Sequence, residues 1–313
     1  MHEERPAAAP LRTLIVFYNR MWNAPLPVDL ELPAGCEMSS DRRRIPEAAA
    51  VVFHIPSLRW LRPPAKRPGQ IWVAWSIECE LNHPRLSDPA FMRLFDLTMT
   101  HRQQSDIRSG YVDYYSSADN LARTLREPPQ PKDDEHLVAA FISSRFNQSR
   151  RREYTRDLMR YLRVDSYGKF LRNRSLQGDQ WRPTKLRTIA RYKFTLAFEN
   201  SIAPDYVTEK FFDPLVAGSV PVYLGAPNVE LLSPGDHCFI NTSDFQSPRA
   251  LAEYLLAVAA DPAAYDAFFE WKQKPFRPAF VQYIEEQKVH AFIRLFRRVQ
   301  ELQAQSLLSN FTS

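Results

Sequence analysis

FTLAFENSIAPDYVTEKFFDPLVAGSVPVYLGAPN, running from Phe194 to Asn228, is the most informative stretch of this 313-residue chain. Its apolar run ends at Phe198 and polar residues follow at once, Glu199, Asn200 and Ser201. A buried strand that opens into carboxylate and amide side chains predicts an open α/β sheet, whose ligands bind beyond the carboxyl ends of the strands. Asp205 to Lys210 then lead into a helical pattern closed by Gly218, and VPVYLGAPN reads as the next strand entering a turn. The free N–H groups at that helix start favour phosphate. Lys210 adds a full positive charge there, and Tyr206 a ring and a hydroxyl. A plainer reading has Thr208 capping the helix and Glu209 complementing its dipole, which leaves the lysine unexplained.

The same alternation extends outward in both directions. Candidate strands precede it at Thr13 to Tyr18, Ala50 to His54, Ile71 to Trp75 and Asp96 to Thr100, each apolar enough for burial on both faces. EPPQPKDDE, Glu127 to Glu135, reads as an interdomain linker. Beyond it HLVAAFIS is a strand, and a basic helix follows from about Arg150 with Tyr154, Leu158 and Leu162 on one face. Ser247 and Pro248 open a helix striped by Leu251, Leu255 and Val258, and Asp261-Pro262 starts another. The expected domains are therefore residues 1–132, 133–282 and a C-terminal amphipathic helix over 283–313. That helix carries Phe292, Leu295, Phe296, Val299 and Leu302 on one stripe, among Lys288, Arg294, Arg297 and Arg298. Packing back on the N-terminal domain is the first expectation for it, and peripheral contact with an anionic membrane the alternative.

Composition narrows the classes. A net charge of +5, from 41 basic and 36 acidic residues, suits an anionic ligand but lacks the dense basic patterning of a nucleic-acid binder. Cys36, Cys79 and Cys238 are too few and too scattered for a disulfide framework or a zinc site. The seven histidines are dispersed, and Asp133-Asp134 falls in the linker rather than at a strand end, so no metal site is expected. MHEERPAAAPLRT holds no long apolar run, so neither signal peptide nor membrane span is expected and the chain reads as cytoplasmic.

FENSxxxDYVTEK followed by VPVYLGAPN resembles the donor-site signature of the α1,3/1,4-fucosyltransferases, glycosyltransferase family 10. WVAWSIECELNHP, FDLTMTHRQQSDI, AFISSRFNQSRRREYTRDL, VDSYG and DFQSPRALAEYL extend the similarity in order, from about Ile71 to Pro278. No motif is evident in the first 70 residues. The resemblance implies a GT-B fold, two facing Rossmann-like domains with a cleft between them. The N-terminal half would hold a lactosamine-like or lipopolysaccharide acceptor and the C-terminal half GDP-fucose. Transfer would invert the anomeric centre without a bound metal.

Such a reaction needs a base for the acceptor hydroxyl and positive charge for the departing diphosphate. The family pattern assigns the base to Glu78, with Glu80 as the competitor that residue type alone allows. Cationic side chains must answer for the diphosphate. Lys210 is the first, and by the family motif Arg151 is the second, with Arg150 and Arg152 leaving the register open by one. By the same resemblance Tyr206 and Glu209 contact the donor while Glu199 and Asn200 border it. A structural carboxylate at a strand end is the competing reading of Glu199. Two further functions remain: a GT-B transferase for another GDP-deoxyhexose or acceptor, and a non-catalytic glycan-binding relative. Tyr18, Asn19 and Trp22 are also candidates for sugar contact, beside ordinary loop packing.

Overall fold

The computed structural model describes residues 12–312 except 28, 60–63, 133–134, 177 and 179–180. Asp133-Asp134 and most of the N-terminal stretch therefore lie outside the described residues. The chain divides into two compact units, one of residues 1–109 with 289–313 and one of residues 110–288.

Unit 1 is a six-stranded parallel sheet built from β1 (Thr13–Phe17), β2 (Cys36–Ser39), β3 (Ala50–His54), β4 (Ile71–Ser76), β5 (Leu97–Thr100) and β6 (Ile107–Arg108), in the order β2-β1-β3-β4-β5-β6. Every pairing in it is parallel. β1, β3 and β4 are buried along their whole length, as the unbroken apolar runs TLIVF, AVVFH and IWVAWS require. β2 lies on the edge, four half-buried residues. The connection between β4 and β5 includes α1 (Pro89–Met92), capped by the Asp88 carboxylate. The sheet's other face is covered from the far end of the chain, as described after unit 2.

Unit 2 repeats the principle with five parallel strands, β7 (Val138–Ala140), β8 (Val164–Ser166), β9 (Phe194–Phe198), β10 (Val220–Leu224) and β11 (Ile240–Asn241), ordered β11-β10-β9-β7-β8. Its helices are α2 (Ala118–Thr124), α3 (Arg151–Leu158), α4 (Arg182–Ile189), α5 (Glu209–Ala217), α6 (Pro248–Ala260), α7 (Pro262–Asp266) and α8 (Pro278–Gln287). One core joins Leu121 and Leu125 of α2 to Phe211 and Phe212 of α5 and Phe280 of α8; the other packs Leu251 and Leu255 of α6 on β9 and β10. Gly218 closes α5 at φ +71, and a Cβ there would meet the Pro129 Cα at 2.8 Å. That combination of left-handed backbone and close approach admits only glycine.

Two expected boundaries move. Residues 110–132 belong to unit 2 because Val112, Tyr115, Leu121 and Leu125 bury against Phe211 and Phe212, so the proline-rich segment after Glu127 runs inside that unit. Residues 283–288 likewise stay with unit 2, through Tyr283 and Ile284. The last helix, α9 (Ala291–Thr312), lays Phe292, Leu295, Phe296 and Val299 against Ile15, Phe17, Val73 and Trp75 of unit 1. Its apolar stripe is spent on the protein's own sheet, which removes the face that a membrane contact would have used. Among the described residues no helix is long and apolar enough to cross a membrane.

Candidate functional site

β9 delivers the expected site residues. Glu199 follows its last residue directly and is fully buried. One carboxylate oxygen accepts the Thr208 N–H at 2.8 Å and the other the Thr208 hydroxyl at 2.9 Å. The Thr208 hydroxyl in turn caps α5 by accepting from the Lys210 N–H at 3.3 Å, and accepts from the Lys210 ammonium at 3.0 Å. Lys210 also lies 3.4 Å from Glu199 and 3.3 Å from Glu209. One hydroxyl thus ties a strand end, a helix start, two carboxylates and an ammonium into a single cluster.

This arrangement corrects the premise drawn from sequence for Lys210. It is not a lone cation at a positive helix end; Glu199 and Glu209 balance it. Burial works against its charge, and the two carboxylates more than restore it, so its pKa is raised. Burial also pushes Glu209 up, but Lys210 and then Lys185 outweigh it and hold the carboxyl at about 2. Glu199 goes the other way, raised chiefly by its burial. With all its contacts turned inward, Glu199 organises Thr208 and Lys210, which favours the structural reading of that residue. Lys210 and Glu209 each keep 22% of their side-chain surface exposed.

Asn200 and Tyr206 are buried, at 5% and 1% exposure. The Asn200 carbonyl accepts from the Ser149 N–H, and the Tyr206 ring meets Tyr111 edge-on at 6.4 Å. Asp205 turns the chain between them at φ 63, held by reciprocal hydrogen bonds with Asn228. Tyr206 therefore offers no open ring in this structure.

Arg151 is the inward-facing member of its triplet, 1% exposed, at the first position of α3; Arg150 is exposed in the left-handed region at φ 57. The expected role as a diphosphate clamp meets a different geometry. Its guanidinium donates to the carbonyls of Phe198 at 2.9 Å and Phe146 at 3.2 Å, and Nε is buried without a partner. Arg151 braces the loop before α3 against the end of β9.

Sequence reasoning passed over a second charged cluster behind α5. Asp213, 1% exposed in the middle of the apolar FFDPL run, accepts from Tyr115 Oη at 2.8 Å, Arg182 Nη2 at 2.9 Å and Lys185 Nζ at 2.8 Å. It anchors α4, and through it Lys185, whose charge helps to keep Glu209 ionised. An acidic residue inside an otherwise apolar helical stripe was the available signal.

In unit 1, Glu78 lies two residues past β4, its N–H bonded to Ser76 Oγ at 3.0 Å. Glu78 and Glu80 line one pocket of ≈ 290 Å³ together with Thr98, Thr100 and Arg102. The strand ends at Ser76, so both reach that pocket through a turn rather than through strand alternation. Glu80 is paired with the Arg102 guanidinium. Among the described residues no group of three or more His, Cys, Asp or Glu side chains is placed to hold a metal.

The family model described as "Fucosyltransferase, N-terminal" matches residues 12–112, and "Glycosyltransferase family 10 (fucosyltransferase) C-term" matches residues 131–312. The chain belongs to glycosyltransferase family 10, the fucosyltransferases. The match begins at residue 12, so residues 12–70, in which sequence reading found no motif, are part of it. Alpha-(1,3)-fucosyltransferase B of Drosophila melanogaster is 34% identical over 82% of this chain, which spans 62% of that protein. The human 3-galactosyl-N-acetylglucosaminide 4-alpha-L-fucosyltransferase FUT3 is 35% identical over 86% of the chain and 75% of its own length. Among solved structures, an alpha1,3-fucosyltransferase crystallised with GDP-fucose superposes with a TM-score of 0.58 at 15% identity, covering 97% of this chain and 93% of that one. At that identity the likeness speaks for the fold, and it agrees with the two parallel-sheet units of a GT-B enzyme.

Proposed function

We propose that the chain is an inverting α1,3/1,4-fucosyltransferase that moves L-fucose from GDP-fucose to a hydroxyl of N-acetylglucosamine or glucose in a glycan acceptor. The observation that carries this reading is the Glu199–Thr208–Glu209–Lys210 cluster at the carboxyl end of β9, within the region matched by the family's C-terminal model. Glu209 supplies a carboxylate for paired sugar hydroxyls. Lys210 supplies the charge that the departing diphosphate needs, and helix α5 points its N-terminus the same way. Glu78 takes the proton of the acceptor hydroxyl as the new C1–O bond forms; the C1–O bond to the diphosphate breaks, and GDP leaves with that electron pair. Attack from the face opposite the leaving group inverts the anomeric centre.

The reading assigns the leaving-group charge to side chains and requires no metal. It assigns the reaction to the cytoplasm; Cys36, Cys79 and Cys238 form no disulfide among the described residues, which a reducing compartment allows. The test is incubation with GDP-fucose and a lactosamine acceptor, with and without EDTA. GDP release and a fucosylated product in both are expected. Loss of activity with EDTA overturns the metal-free mechanism, and release only from another GDP-deoxyhexose overturns the donor.

A further inference from the structure

A second cavity in unit 1, beyond β1, β2 and β3, has no part in the steps above. It has a volume of ≈ 860 Å³, within the usual range of about 300–1,000 Å³ for small-molecule sites. Its walls are the segments that follow three neighbouring parallel strands: Tyr18 to Arg20 after β1, Ser40 and Arg42 after β2, and Pro56 to Arg59 after β3. In the order β2-β1-β3 the chain steps from β1 to one side and then to the other, so the cavity lies at the topological switch point of the sheet. That is where open α/β sheets place their ligands.

Among the described residues three arginines, Arg20, Arg42 and Arg59, line the cavity and no carboxylate does. The nearby acids are occupied elsewhere: Asp41 by Arg43, and Glu37 by Arg12 and Arg44. Arg42 is fixed in place, since its Nε donates to the Tyr18 carbonyl at 2.6 Å and its guanidinium stacks on the Tyr18 ring at 4.2 Å. That leaves the Nη end of the fork for a ligand. Arg20 donates to Ser40 Oγ at 3.2 Å. Reciprocal hydrogen bonds between Asn19 and the His54 backbone, at 2.8 and 3.0 Å, hold the floor together.

Trp22 supplies the apolar side. It is 53% exposed, held at φ 48, with its ring edge-on to His54 at 5.4 Å. An exposed indole fixed in the left-handed region is an arrangement that surroundings must maintain. Its ring also lies 6.2 Å from His83, in the turn whose N–H bonds the carbonyls of Cys79 and Glu80, beside Glu78. The cavity and the proposed base thus border the same turn at the same edge of one sheet.

We propose that this cavity is a specificity subsite for an acidic sugar of the acceptor glycan, one carrying a carboxylate or a phosphate. The sugar packs on Trp22 while Arg42, with Arg20 and Arg59, takes the anionic group. The proposal rests on the fucosyltransferase reading and sharpens its acceptor. Bidentate arginine suits both anions, which the test separates.

Three disaccharides that differ in one substituent serve as probes: galactosyl-N-acetylglucosamine, its galacturonosyl counterpart and its 6-phosphogalactosyl counterpart, each titrated calorimetrically without donor. At low salt at least one acidic disaccharide binds about tenfold more tightly than the neutral one, and the tighter of the two names the anion. The preference shrinks at about 1 M salt, where exposed charges are screened. Arg42→Gln with Arg59→Gln removes it. A neutral disaccharide that binds as well as both acidic ones overturns the proposal, as does a preference that survives the arginine replacements. Donor is absent from these titrations. A protein that prefers the acidic ligand yet releases no GDP from GDP-fucose retires the fucosyl reading and leaves the subsite standing.

Discussion

Thr208 is one small residue that ties Glu199 to Lys210. Its hydroxyl donates to Glu199 and accepts from both the backbone and the ammonium of Lys210. Thr208→Val keeps the shape and removes all three bonds. The helix cap alone is worth about 1 kcal/mol, and the buried Glu199 carboxylate loses a donor as well. Urea unfolding of this variant should show a loss above that figure, with weaker GDP binding. Lys210→Ala should weaken GDP binding about 10- to 100-fold by calorimetry, as expected for a lost charge-assisted contact; unchanged affinity would contradict the phosphate role. Glu209 adds a pH signature. Lys210 and Lys185 overcome burial and lower its pKa to about 2, so its contribution to stability is present above its ordinary value of 4.5 and is lost as pH falls toward 2. In Glu209→Gln, the fall in the urea midpoint across that window should be smaller than in the parent protein.

The elements differ in how plainly the sequence announces them. β1, β3, β4 and β9 are continuous apolar runs, and α6 carries its cap, its proline and its stripe in order, Ser247, Pro248 and then Leu251, Leu255 and Val258. β2 is a half-buried edge of four residues, CEMS, that only pairing with β1 makes a strand. α4, RPTKLRTI, is polar almost all round; the buried Asp213 on another helix holds it through Arg182 and Lys185. Tertiary charge pairing of that kind leaves no periodicity to read. The candidate site divides in the same way. The strand end, the helix start and the residues Glu199 to Lys210 were legible, because burial and capping follow local rules. The inward turn of Arg151 and Tyr206 depends on chain segments far away in sequence, Phe198 and Tyr111, and the pairing of Lys210 with Glu199 on a side-chain geometry that spacing alone does not give. Gly218 belongs at this scale too: Gly218→Ala forces a side chain into φ +71 against Pro129, and α5 should lose more than about 1 kcal/mol by urea unfolding.

At the scale of the molecule, the last helix completes the first unit. Phe296 is 1% exposed among Ile15, Phe17 and Trp75, all of which lie far back in the first quarter of the chain. Phe296→Ala should destabilise unit 1 by about 3–5 kcal/mol, visible as faster amide exchange in β1 and β4. Under the proposed reading the labour divides between the two units: unit 2 carries the cluster around Lys210 that would meet the donor, and unit 1 carries Glu78, the proposed base. Glu78→Gln separates these roles in one pair of measurements, GDP-fucose affinity and turnover on the same preparation. The account predicts unchanged donor affinity with turnover lower by about 10²- to 10⁴-fold. Near-normal turnover in Glu78→Gln would contradict it.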